Sequence, residues 1–190
     1  MKYLLSILVL LTVSTFALAQ EAPKAEVFGG YSYMRQDGGD FGGINMNGWN
    51  ASFNYNLSNV LGLKADFSGH YKNDVFVTSI NGRRVAGDTS DFTFLFGPQF
   101  TLRKYGKITP FAHTLFGGVR GKTKVSIPGT VISDTDTVFG AALGGGVDLK
   151  LSRNLAFRMI QADYLLTRSN GQTGNNLRIS TGLVFHIGAK

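Results

Sequence analysis

The sequence predicts an all-β fold, an eight-stranded antiparallel up-and-down transmembrane β-barrel, and three observations carry that prediction. The first is unbroken alternation in two neighbouring stretches. Trp49, Ala51, Phe53, Tyr55 and Leu57 are interleaved with Gly48, Asn50, Ser52, Asn54 and Asn56, and Leu61, Leu63, Ala65, Phe67 and Tyr71 with Gly62, Lys64, Asp66, Ser68 and His70. A period of two gives each stretch one apolar and one polar face. The second observation is a secretion leader, and the third a regular alternation of short and long connections.

The leader occupies residues 1–19. Lys2 supplies a positive start, Tyr3 to Ala17 a largely apolar run, and Ala17-Leu18-Ala19 a small-residue cleavage motif. Processing between Ala19 and Gln20 is expected, leaving 20–190 as one barrel domain. An uncleaved anchor helix is the competing reading, for which the run is short.

Strands are expected at about 25–35, 47–57, 60–71, 90–102, 108–120, 137–151, 155–167 and 176–187. Short turns follow the second, fourth and sixth, around Ser58-Asn59, Tyr105-Gly106 and Arg153-Asn154. Longer connections rich in Gly, Asn, Asp and Ser follow the others. Outer-membrane barrels show this asymmetry, with short turns in the periplasm. Val75 to Val77 and Arg84-Val85 flank Asn81-Gly82, while Val125 and Val131-Ile132 flank Pro128-Gly129, so the second and third long connections are expected to continue as hairpins.

The outward face is traced by Phe92, Phe94, Phe96, Pro98, Phe100 and Leu102, by Phe139, Ala141, Leu143, Val147 and Leu149, and by Leu177, Ile179, Leu183, Phe185 and Ile187. The opposite face collects Glu26, Lys64, Asp66, Asp91, Asp148, Lys150, Asp163 and Arg178, together with many glycines. A soluble sandwich would turn the apolar set inward. Charges on the alternate face instead place lipid outside and a tight lumen of small residues and charge pairs inside. Tyr33, Trp49, Tyr71, Phe92, Phe139 and Tyr164 toward the long-connection end, with Tyr55, Phe100, Phe157 and Phe185 toward the other, suggest two interfacial girdles. The seventh strand breaks parity: Arg158 lies out of step with Gln161 and Asp163, which a β-bulge near Met159-Ile160 or snorkelling of Arg158 would reconcile. His113 in the fifth strand is not assigned a face.

Composition agrees with export and excludes some classes. There are 25 Gly, 4 Pro and 12% aromatics, which suits strands, and no Cys, so neither disulfides nor thiolate metal sites are available. The charge of +7 is carried in clusters, with Arg35, Lys72, Arg83, Arg84, Arg120, Lys122 and Lys124 at one end and Arg103, Lys104, Lys107 and Arg153 at the other. Export removes nucleic acid as a partner. Phosphates of lipid head groups and of lipopolysaccharide are the better match.

The chain resembles the small eight-stranded outer-membrane β-barrel family, represented by the transmembrane domain of outer-membrane protein A and by opacity-type surface proteins. The resemblance rests on Ala25 to Tyr33, on the returns Ser58 to Lys64 and Ser152 to Arg158, and on the last strand. It implies a monomeric barrel in the outer membrane of a Gram-negative-type bacterium, with outer-membrane lipids and lipopolysaccharide as partners. Ser180-x-Gly182-x-x-Phe185-x-Ile187 is similar to the pattern that the family's barrel assembly machinery recognises, departing in Ile187 and in the trailing Gly188-Ala189-Lys190. The peptidoglycan-binding domain of longer relatives does not follow, so wall anchoring is not implied.

For chemistry, Asp66, Ser68 and His70 have the residue types of an acyl-transfer triad. Their alternate spacing sets them in a row about 7 Å apart on one strand, so a lumen hydrogen-bond network is the expectation. His70, His113 and His186 lie near different ends of different strands and make no metal site. Gly144-Gly145-Gly146 is not a phosphate cradle, because no helix follows it. The expectation is therefore a non-enzymatic surface barrel with no catalytic, cofactor-binding or metal residues and no cofactor, whose loops serve adhesion or envelope contacts. The alternatives are a lipid A-modifying enzyme and a small channel or hydrophobic-solute transporter.

Overall fold

The computed structural model describes residues 22–37, 42–80, 83–127, 130–169 and 172–188. The leader, its cleavage site, Asn81-Gly82, Pro128-Gly129 and the last two residues lie outside the described set. Eight strands follow in order: β1 (Ala25–Gln36), β2 (Ile44–Asn56), β3 (Leu61–Ile80), β4 (Arg83–Thr101), β5 (Ile108–Ile127), β6 (Thr130–Lys150), β7 (Leu155–Ser169) and β8 (Gln172–Ile187). Each pairs antiparallel with its neighbours, and β8 returns to β1 through Ala25↔Ile187 to Arg35↔Leu177, closing the barrel. Closure leaves no open sheet edge within the ring, the condition for a sheet to sit in lipid.

The alternation predicted for β2 and β3 is the observed wall. Trp49, Phe53, Tyr55, Leu63 and Tyr71 are exposed on the outer surface, whereas Asn50, Ser52, Asn54, Lys64, Asp66, Ser68 and His70 are buried inside. The same division holds for β4, β6 and β8, where Phe94, Phe96, Phe100, Phe139, Leu143, Leu177, Leu183 and Phe185 all point outward. Phe67 packs edge-on against Phe94 and Phe96 with ring centroids 5.9 Å apart, and Tyr71 against Phe92 at 5.7 Å, so cross-strand aromatic pairs stiffen this sector. Both proposed girdles face outward. At the long-connection rim, Tyr33 and Tyr164 donate their hydroxyls to Asn45 Oδ1 (2.8 Å) and Asn175 Oδ1 (2.7 Å), the apolar-body, polar-tip arrangement of an interface.

The parity break in β7 is a bulge. Val147 pairs with Ile160 but Asp148 with Arg158, and against β8 the register shifts between Arg158 and Gln161. Met159 and Ile160 are both exposed on the lipid side, and Arg158, 2% exposed, turns into the barrel rather than snorkelling. One inserted residue thus lets Arg158, Gln161 and Asp163 share the interior. In β5, His113 also points inward, with Phe111 and Leu115.

Strand ends depart from expectation at one pole. The predicted strands stop near residues 71, 90, 120 and 137, but the backbone ladder runs on to Ile80↔Arg83 and Ile127↔Thr130. As anticipated, the second and third long connections are hairpins. Since β2 pairs with β3 only as far as Asn47↔Tyr71, and β6 joins β7 only from Phe139↔Arg168, a four-stranded sheet of β3 to β6 stands beyond the ring. In β6, residues 130–137 are exposed on both faces, so hydrophobic alternation does not mark that stretch. At the other pole, the turn after β4 needs Gly106, whose φ of 66° favours a residue without Cβ.

Candidate functional site: the barrel lumen and its two ends

The lumen is crossed by a belt of charged side chains. Lys64, Arg158 and Arg178 face Asp66, Asp148 and Asp163, all at most 6% exposed. Cations and carboxylates are equal in number, and each carboxylate has a cation beside it. Arg178 is the hub: it donates to Asp163 Oδ2 from NH2 (2.7 Å) and Nε (3.0 Å), pairs with Asp66 Oδ1 (2.8 Å), and donates to Ser68 Oγ (2.9 Å). Asp163 also meets His113 Nε2 (2.8 Å) and accepts from Gln161 Nε2 (2.8 Å). Arg158 grips Asp148 with two bonds of 2.8 and 3.0 Å, donates to Gln161 at 2.6 Å, and lies between the rings of Phe28 and Phe111, 4.3 Å from each centroid. Lys64 reaches Gln161 Oε1 (3.3 Å) and stands 3.7 Å from Asp66. Gly144 makes the belt possible, since a Cβ there would collide with the carboxylate of its register neighbour Asp163.

Bidentate and shared geometry matters because an unpaired charge in so dry a site is costly. The expectation of neutralising pairs inside is met, with Lys150 only half-buried. Two features of the lumen went unforeseen. Met34, Met46, Leu95, Leu115, Val119, Ala142 and Leu165 form a buried apolar plug, and Phe28, Ala156 and Val184 a smaller one. The sequence carried a sign of this in Phe94-Leu95-Phe96, apolar on both faces. Arg103, grouped above with exposed basic residues, instead folds under the barrel, its side chain 7% exposed. It pairs with Glu26 (2.7 Å) and donates to Asn56 Oδ1 (3.0 Å).

The residues with triad-like chemistry are all interior but do not form a triad. Ser68 Oγ lies 2.7 Å from Thr93 Oγ1 and accepts from Arg178. His70 Nε2 lies 2.8 Å from Ser32 Oγ, which in turn is 2.9 Å from Ser180 Oγ. Asp66 is engaged by Arg178 and Asn50. These residues are at most 1% exposed, so the hydroxyls and imidazole act as cross-links between β1, β3, β4 and β8. His70 and His113 take different partners within the lumen, and His186 extends beside Asn154 near the short turns, where its backbone N–H donates to Asn154 O (2.9 Å). Among the described residues no group of His, Asp and Glu has metal-holding geometry.

A closed eight-stranded wall with an apolar outer belt, aromatic rims and a filled interior defines an integral outer-membrane β-barrel protein. The family model for the outer membrane protein beta-barrel domain matches residues 5–187, and the chain belongs to that family. No curated protein matches it. Among solved structures, it is similar to Ail, the attachment invasion locus protein of Yersinia pestis. The two share 20% identity at a TM-score of 0.63 over 86% of this chain and 99% of that one. A second structure of that protein, in complex with the heparin analogue sucrose octasulfate, gives 0.56 at 20% identity over 87% and 99%. Neisserial surface protein A gives 0.60 at 11% identity over 86% and 97%. These likenesses reproduce the fold.

Proposed function

We propose that this protein is a non-enzymatic surface barrel whose contacts are made by the sheet of β3 to β6 that stands outside the membrane. One observation carries the reading: the lumen is closed by paired charge and apolar side chains, while four strands extend beyond the ring. A filled eight-stranded barrel is a scaffold rather than a pore. The extension presents β6 residues 130–138, exposed almost throughout, with Val131 and Ile132 among the most exposed apolar residues. On the outward face of β5, Arg120, Lys122 and Lys124 recur at every second residue above Phe116, suited to phosphate or sulfate groups at the cell surface. The heparin-analogue complex of the similar Yersinia pestis protein is compatible with that chemistry.

Removal of residues 1–19 after Sec export, insertion by the barrel assembly machinery through the β8 motif, short turns in the periplasm and a monomeric state complete the proposal. The test is surface binding by cells that display the wild type or a variant in which the hairpins are cut back to Lys72 and Thr89 and to Lys122 and Thr135, leaving Val119 of the plug and Val138 beside it in place. Equal surface amounts with lost binding support the reading. Retained binding removes it.

A further inference from the structure

At the long-connection end of the lumen, above the apolar plug, lies a cavity of about 110 Å³. Its floor is Met34, Val119 and Leu165, residues of the plug, and Val138 packs beside them. Two carboxylates line it, Asp91 from β4 and Asp136 from β6. They flank Gly121 of β5 in one cross-strand row, Asp91↔Gly121↔Asp136. The row has a gap at its centre. A Cβ on Gly121 would lie 3.2 Å from Asp91 Oδ1, so that oxygen faces the space left by the missing side chain.

Asp91 is unlike the carboxylates of the belt. It is 4% exposed, its Oδ2 accepts one bond from Gln36 Nε2 at 2.7 Å, and no cation among the described residues pairs with it. Lys, Arg and His contribute nothing to the cavity lining among the described residues. In the belt, Asp66, Asp148 and Asp163 each have an arginine within 2.8 Å. A buried carboxylate without a counter-charge, beside a second carboxylate and an open gap, is a place prepared for a positive group from outside.

We infer that this cavity binds a primary alkylammonium group, a protonated amine on a short methylene stem. The ammonium would sit over Gly121 between Asp91 and Asp136, where its three donors match oxygens on opposite sides of the gap. The stem would lie on Met34, Val119 and Leu165, in the way that lysine stems cover apolar surface. A divalent metal fits this lining less well. Calcium takes about 6–8 oxygen ligands, but Gln36 turns its amide N–H toward Asp91 and Asn176 Oδ1 is already engaged by the Asp37 N–H at 2.9 Å. The apolar floor would be idle under a metal ion. The amine could be a free diamine or the lysine of a partner polypeptide, and the chemistry of recognition is the same.

The test uses the mature chain refolded in detergent micelles, titrated with 1,5-diaminopentane and separately with an acetylated, amidated Gly-Lys-Gly peptide. Backbone amide shifts are followed by NMR. Both ligands are expected to move Asp91, Gly121 and Asp136 saturably, the tighter ligand indicating the natural source. Asp91→Asn should weaken binding at least tenfold and Gly121→Val should abolish it. The exposed Asp136→Asn, which leaves the interior intact, should weaken it several-fold even if Asp91→Asn does not fold. Absence of saturable shifts with both amines, undiminished binding in Asp136→Asn or Gly121→Val, or displacement of the amine by equimolar calcium chloride would overturn the inference.

Discussion

The belt inside the ring and the sheet beyond it are built from the same strands, yet they meet opposite demands. Between Lys64 and Asp66 on β3 and Arg178 on β8, every charge is buried and matched, and the hydrogen bonds join positions as distant as Ser68 and Arg178 in the chain. Past Tyr71 and Phe139 the ladder continues, and most described side chains of β6 there are exposed. The charge pairs that tie the wall together lie within the ring, and the exposed surface proposed for contact lies beyond it. The belt links strands across the lumen, and the extension presents exposed residues beyond it.

The comparison is broken most severely by removing the hub. Asp163→Ala deprives Arg178 and His113 of their shared carboxylate. Uncompensated charge in a dry site costs about 3–5 kcal/mol, so the midpoint of urea unfolding in micelles should fall steeply, and heat-modifiable gel mobility should be lost at lower temperature. Phe111→Ala comes next. It strips one of the rings that enclose Arg158, and the cavity left by a buried aromatic costs about 3 kcal/mol, read by the same unfolding curve. Ser68→Ala is expected to cost about 1 kcal/mol for one interior hydrogen bond, with the lipid A mass profile of the host unchanged. A changed profile would return Ser68 to catalysis. Cutting the hairpins back only to Lys72 and Thr89 and to Lys122 and Thr135, which leaves Val119 and Val138 in place, should move the unfolding midpoint least, although surface binding is lost.

The same contrast explains what the sequence disclosed. Lipid on one side and a polar interior on the other force period-two alternation, so the wall of β2, β3, β4, β6 and β8 was legible residue by residue. The parity break in β7 was legible as well, although the sequence left a bulge at Met159-Ile160 and snorkelling of Arg158 as alternatives between which only the register decides. The two outer hairpins were legible from their turn residues, but where their strands end was not: residues 130–137 of β6, exposed on both faces, have no reason to alternate. The apolar plug escaped because an interior filled by side chains accepts Met34 or Leu115 as readily as a charge pair. Pairings such as Arg178 with Ser68 and Asp66, and His70 with Ser32, join strands brought together only by closure, so spacing along one strand argued against a direct Asp66-Ser68-His70 triad but did not name the partners each would take.

Conductance of the refolded wild-type barrel in planar lipid bilayers decides whether the lumen is a closed cross-link or a path. A lumen filled by the charge belt and the apolar plug gives no stable single-channel steps for the wild type. Steady ohmic steps from the wild type, suppressed when lumen side chains such as Ser68 or Ala142 are enlarged, would contradict it.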